Sequence, residues 1–232
     1  VNFEKLDISN LPELEQFMLC KIFKMNLMFE KNFKIYNFHA LYKELLNFCT
    51  IDLSAFYFDI RKDSLYCDKI DSPKRKSTII FLNILLEILL KWFAPILSFT
   101  TEEIYSLLKI NSNKSIHLEN FPKIPSKWND QDLEAKWNEL IKIREICNSS
   151  IELKRAEKEI GSSLEANLII NLNEKMIKFT SGIDFSELCI TSAARIEKIK
   201  SEEIVVKTIK AEGQKCPVCW KISKNQCERH SV

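Results

Sequence analysis

Three thiols and one imidazole stand close together near the end of the chain, in "KCPVCWKISKNQCERHSV". Cys216 and Cys219 form a C-x2-C pair, and Cys227 and His230 form a second pair after a seven-residue loop. A C-x2-C turn presents both sulfurs to one point, so four ligands can meet around one tetrahedral zinc. A redox C-x-x-C is the rival reading, but it belongs after a strand and at the start of a helix. Only thirteen residues follow Cys219, and none has a helical pattern. A single structural zinc is therefore expected, with no open coordination position and hence no metal catalysis. Lys215, Lys221, Lys224 and Arg229 surround the ligands against one acid, Glu228. Trp220 follows the second cysteine directly. Two readings of it stay open: a stacking platform for a base of single-stranded nucleic acid, or a cover for the metal.

The elements that must hold this clasp are mostly helical by pattern. From Glu13 to about Lys31, Leu14, Phe17, Met18, Ile22, Met25 and Met28/Phe29 recur at helical spacing. Tyr42, Leu46, Cys49, Leu53, Phe56 and Ile60 step by fours and threes, which predicts a second helix of about seven turns. Ser72-Pro73 reads as an N-cap with proline at the first helical position. The run after it, "STIIFLNILLEILLKWFAPIL", approaches the ~20 apolar residues of a membrane span. Asn83, Glu87 and Lys91 line one face of that run, however, and lipid would not tolerate them cheaply. No membrane association is expected.

Pro95 should end the helix, and a Thr100–Glu103 capping box should start another. A loop is expected over Asn111 to Asn129, then a long helix from about Asp130 to Glu159. Its stripe is Leu133, Trp137, Leu140/Ile141, Cys147 and Ile151. Beyond Gly161 the period changes to two. Leu164, Ala166, Leu168, Ile170 and Leu172 alternate with mostly polar residues, as in a half-buried strand. Further strands are expected around Leu188–Ser192 and Ile204–Ile209. The expected fold is mainly α: an antiparallel helical bundle over 1–160, a small α+β module over 161–212, and a zinc-binding tail over 213–232.

Composition narrows the function. Basic and acidic residues number 34 and 32, a net charge of +2, which excludes a non-specific polyanion binder acting through a strong field. Hydrophobic residues make up 46% and glycines number 3, enough apolar content for a core and too few turns for an all-β fold. Residue 1 is valine, which points to a fragment or a processed piece, and no signal peptide opens the chain. Cys20, Cys49, Cys67, Cys147 and Cys189 lie scattered in apolar stretches and read as free buried thiols of a reducing compartment, the cytoplasm.

Four stretches together resemble bacterial-type isoleucyl-tRNA synthetases of class I. "NFCTIDLSAFYFDIRKDSLYCD" (47–68) is similar to the opening of their anticodon-binding helical domain, and "FAPILSFTTEEIY" (93–105) to its later helix break. "RAEKEIGSSLEA" (155–166) resembles the junction into their C-terminal region, and "KCPVCW" (215–220) their terminal zinc ribbon. Valyl and leucyl relatives share the helical domain, whereas the terminal C-x2-C-W is more specific to the isoleucine enzyme. The family's second ligand pair is commonly another C-x2-C on a longer loop, so His230 is a departure.

The resemblance implies a region that grips the anticodon end of an isoleucine tRNA. ATP-dependent aminoacylation and editing would lie in upstream domains of one monomeric polypeptide. The signatures H-I-G-H and K-M-S-K-S are absent from this chain, and no catalytic residue is assigned. Expected tRNA contacts are Arg61, Lys62, Lys74, Arg75, Lys76, Lys215, Trp220 and Lys221. Against Arg61 and Lys62 stands simple pairing with Asp59 or Asp63. Lys74, Arg75 and Lys76 lie at a helix N-terminus, where positive charge opposes the macrodipole and hints at another use. A zinc-stabilised helical scaffold for another protein is the alternative from a different class.

Overall fold

The computed structural model of the chain describes residues 3–108 and 114–230. It divides into two compact units, Val1–Leu65 with Lys69–Asp130, and Tyr66–Asp68 with Gln131–Val232.

The first unit is a helical bundle. α1 (Glu13–Lys34) carries Glu13 and Glu15 in its first turn and Lys31 and Lys34 in its last, both matched to the macrodipole. It buries Leu14, Phe17, Met18, Ile22, Met25 and Phe29, the stripe read from the sequence. α2 (Phe38–Asn47) then runs through a wide π-helical stretch (Phe48–Phe58) into α3 (Asp59–Cys67). That stretch corrects the second stripe. Leu53, Phe56 and Ile60 are buried as expected, but Tyr42 and Leu46 are exposed, and Leu41, Leu45 and Phe48 take their places in the core. Each π turn closes i→i+5 rather than i→i+4, so it absorbs extra residue and shifts everything before it around the axis. The step from Phe48 to Leu53 is that shift.

α4 (Pro73–Phe93) has Ser72 at the N-cap position and Pro73 at its first residue, although the serine side chain makes no capping bond. Phe81, Ile84, Leu85, Ile88 and Trp92 are buried, Asn83 is exposed, and Glu87 bonds Lys91 at 3.0 Å. Among the described residues no helix is long and apolar enough to cross a membrane. α5 (Ser98–Leu107) starts two residues before Thr100, so the expected capping box does not form. Glu102 instead accepts bonds from the Ser115 hydroxyl (2.7 Å) and the Ile116 N–H (3.0 Å), tying down the connection that follows. Residues 111–113 of the expected loop lie outside the described residues, and Ile116 and Trp128 in the remainder are buried.

The second unit is built on α6 (Gln131–Ala156) and a three-stranded sheet. β1 (Ala166–Leu172) lies in the middle, parallel to β2 (Ala193–Lys198) and antiparallel to β3 (Val205–Lys210). Its Ala166, Leu168, Ile170 and Leu172 are buried on one face, in the alternation expected. α6 packs on this sheet, with the Ser150 hydroxyl 2.7 Å from that of Thr208. The long helix therefore groups with the sheet in the second compact unit.

The parallel pair needs a crossover, supplied by α7 (Glu174–Phe179) and the single turn α8 (Phe185–Leu188). The strand expected around Leu188–Ser192 is thus a helical turn and its exit, and the strand follows at Ala193. Asp184 caps that turn by accepting from the Ser186 (2.8 Å) and Glu187 (3.4 Å) N–H groups. A hairpin of β4 (Gln214–Lys215) and β5 (Ile222–Ser223) closes the unit.

Candidate functional site

The β4–β5 hairpin brings the first ligand pair into place. The Cys216 N–H donates to the Lys221 carbonyl at 2.9 Å, and the Trp220 N–H donates back to the Cys216 carbonyl at 3.0 Å. Gly213 enters the hairpin at φ 127°, where a Cβ would collide with the Ser223 carbonyl. Glycine is required there.

The ligand atoms of Cys216, Cys219, Cys227 and His230 all lie within 4.8 Å of one another. The Cys219 and Cys227 sulfurs are 3.8 Å apart, and His230 Nδ1 is 3.5 Å from the Cys216 sulfur and 3.3 Å from that of Cys227. A tetrahedral zinc with bonds of about 2.3 Å to sulfur and about 2.0 Å to nitrogen spans roughly 3.8 Å between sulfurs and 3.5 Å from sulfur to nitrogen. The three separations are close to those of a zinc site, and the donors suit that ion.

The thiols differ in acidity. Burial pushes the Cys216 thiol up, but the N–H groups of Cys219 and Val218 and the neighbouring thiols outweigh it, bringing the group to about 6. Burial pushes Cys219 up to about 12, adjacent thiols adding to it. One sulfur is ready to bind as thiolate at neutral pH, and a cation's own charge is what would bring down the others.

Residues distant in sequence support the clasp. His230 Nε2 lies 2.8 Å from the Cys67 carbonyl oxygen, and the Arg229 guanidinium reaches Asp68 Oδ1 through Nη2 (2.6 Å) and Nε (3.1 Å). The Cys67 thiol points at the Val218 carbonyl at 3.7 Å. The Cys67 carbonyl, first, and then the Cys227 and Cys216 sulfurs hold the His230 imidazole above its ordinary value, against burial. Nothing local in the sequence signals Cys67 and Asp68, which stand more than 160 residues before the ligands they support.

Trp220 is 58% exposed, it adopts φ 64°, and Lys215 Nζ lies 5.3 Å from its ring centroid. A bulky residue in the left-handed region is an outlier, and the hairpin bonds on either side of Trp220 hold it there. Lys215 is exposed, while Lys221 is half-buried with its ammonium 3.1 Å from the Ser186 hydroxyl.

The remaining expected contacts lie on the helical unit. Lys62 is exposed and bonds Asp59 at 2.6 Å. Lys76 is exposed, and Lys74 and Arg75 are half-buried. Arg61 faces inward. It is 3% exposed and grips Glu15 with two bonds of 2.6 and 2.7 Å. The Tyr57 hydroxyl donates to the same carboxylate at 3.0 Å. Burial, and then the Glu15 charge, push that phenol far above its ordinary value. Arg61 is therefore out of reach of any phosphate. Its spacing from Leu53, Tyr57 and Ser64, all on the buried face, is the signal that could have shown this.

Residues 15–170 match the family model described as the anticodon-binding domain of tRNA ligase. An isoleucine–tRNA ligase of Pelagibacter ubique is 62% identical over 231 residues, which take in 100% of this chain and 25% of that protein. Those of Agrobacterium fabrum and Bradyrhizobium diazoefficiens are 37% and 38% identical, over 96% and 95% of this chain and 24% and 23% of their own length. The chain spans about a quarter of the length of these curated relatives.

Proposed function

The chain belongs to the anticodon-binding domain family of tRNA ligases, and from that premise we propose that it recognises the anticodon end of an isoleucine tRNA. The observation that carries the reading is the Trp220 ring, exposed beside the metal clasp with Lys215 against it. A base unstacked from an anticodon loop can lie on that ring, and base–aromatic stacking of this kind is worth about 1–3 kcal/mol. Lys215 and Lys221 supply phosphate contacts on the same unit, and Lys62, Lys74, Arg75 and Lys76 on the helical unit. Arg61 has no part in it.

The metal is one zinc held by Cys216, Cys219, Cys227 and His230. Its role is structural: it fixes the loop that carries Trp220. The isoleucine assignment is supported by relatives named isoleucine–tRNA ligases that align along essentially the whole chain. The chain works in the cytoplasm as part of a longer, monomeric ligase. ATP is used in upstream domains for aminoacylation, and editing is also done there.

The test is a binding titration of the chain against an isoleucine tRNA and the same tRNA with its anticodon replaced, at two salt concentrations. Loss of affinity with the replaced anticodon is expected. Equal, weak and salt-sensitive binding to both would reduce the surface to a generic polyanion contact and overturn the reading.

A further inference from the structure

The four ligands of the clasp have little of their own around them. Cys219 and Cys227 are joined by seven residues, and the second pair falls on the last described residues of the chain. What lies against them is the segment Tyr66–Asp68, which groups into the same compact unit.

Two sets of bonds fix His230 from outside. Its Nδ1 faces the Cys216 and Cys227 sulfurs at 3.5 and 3.3 Å, while Nε2, on the opposite side of the ring, lies 2.8 Å from the Cys67 carbonyl. A carbonyl only accepts, so Nε2 carries the proton and Nδ1 keeps the lone pair that a metal needs. One residue earlier, Arg229 meets Asp68 Oδ1 through two nitrogens, at 2.6 and 3.1 Å. That pair is partly shielded, the side chains being 32% and 15% exposed, and it anchors the backbone from which His230 projects. The Cys67 thiol reaches the Val218 carbonyl inside the first C-x2-C turn, so the same segment touches both halves of the clasp.

The geometry points to Cys67 and Asp68 as positioning residues of the metal clasp. The Cys67 carbonyl makes His230 an Nδ1 ligand, and Asp68 holds Arg229 so that the imidazole meets the three sulfurs. The clasp is then not an autonomous finger. The hydrogen bonds that orient its imidazole come from a segment 163 residues earlier in the chain, and metal affinity depends on that segment being in place. This inference rests on the metal reading proposed above.

The test uses the whole 232-residue chain and two readouts that need no catalysis. In the first, 15N NMR of the histidine ring in the Zn2+-loaded chain should show Nδ1 bound to metal and Nε2 protonated. Metal at Nε2 overturns the proposal. In the second, Zn2+ affinity is measured by competition with a chelator. Asp68→Asn should weaken it about 10–100-fold, the usual loss when an outer-shell partner is removed. The Co2+ absorption bands should keep their shape, because the ligand set is unchanged. Exchanging the partners in Asp68→Arg/Arg229→Asp should restore part of the affinity. An Asp68→Asn chain that binds Zn2+ as tightly as the unaltered one overturns the inference while leaving the metal reading intact. An unaltered chain that takes up no Zn2+ overturns both.

Discussion

Two arginines in this chain each grip a carboxylate with two nitrogens, and they do opposite work. Arg61 and Glu15 meet at the centre of the helical unit, with side chains 4% and 0% exposed. Arg229 and Asp68 meet beside the Cys/His cluster, at 32% and 15%. The difference in solvent decides what each pair is worth. Removing one partner of a buried pair strands a charge in low dielectric and costs about 3–5 kcal/mol, whereas a pair that water reaches on one side costs less, towards the about 0–1 kcal/mol of an exposed pair. The inner pair is part of the core. The outer pair orients a site.

The largest expected effect breaks the inner pair. Arg61→Met should lower the unfolding free energy by about 3–5 kcal/mol, and the double variant Arg61→Met/Glu15→Leu should recover much of that, because no charge is then left buried. Arg229→Met should cost about 1 kcal/mol or less in global stability. Urea denaturation followed by circular dichroism measures all three. Equal losses for Arg61→Met and Arg229→Met would show that burial does not separate the two pairs.

The same contrast explains what could be read from the sequence. Features with a local period were legible: the α1 stripe, the alternation of β1 and the grouping of Cys216, Cys219, Cys227 and His230 each depend on a few residues of chain. Features made by distant partners were not. Glu15 reads as an ordinary first-turn acid of α1, and the bonds from Tyr57 and Arg61, 42 and 46 residues on, make it a core residue. The π-helical stretch shifted the stripe before it because an i→i+5 closure has no residue signature of its own. β2, "AARIEK", is composed largely of good helix formers, and pairing with β1 overrides their propensity. The short crossover before it departs from its pattern for the opposite reason. Leu188–Ser192 looks strand-like, but the Asp184 side chain caps a helical turn there.

Asp184 gives the intermediate effect, and it sharpens the contrast by tying an outlying element to pH. Burial raises its pKa, but the bonds from Ser186, the Lys221 charge and the Glu187 N–H together bring it below the ordinary aspartate value. A carboxylate depressed in the folded state contributes stability that is fully present above its unfolded value of about 3.9 and is lost as pH falls through the folded value. The cap should therefore weaken only below about pH 4. At neutral pH Asp184→Ala should cost about 0.5–2 kcal/mol. Asp184→Asn should keep most of the cap and remove its contribution to the acid dependence, as read by unfolding titrations at several pH values. An acid dependence unchanged in Asp184→Asn would place the titrating group elsewhere.

The smallest effect on stability belongs to the residue with the largest expected effect on binding, and here the division between core and site can be tested at one position. Trp220 holds a left-handed backbone at φ 64°, a conformation that costs an ordinary residue roughly 1–2 kcal/mol. Trp220→Gly removes that strain but adds about 0.5–1 kcal/mol of chain entropy to be lost on folding. The two nearly cancel, and the exposed ring leaves no cavity behind, so thermal unfolding should barely move. Binding to an isoleucine tRNA should instead weaken by about 1–3 kcal/mol, the worth of one stacked base. A tryptophan placed for the fold would give the reverse, a fall in stability with affinity intact. Since Lys215 packs on the ring, Lys215→Gln should weaken binding in the same direction and by less, and should lower its salt dependence, a change that loss of the ring alone would not produce.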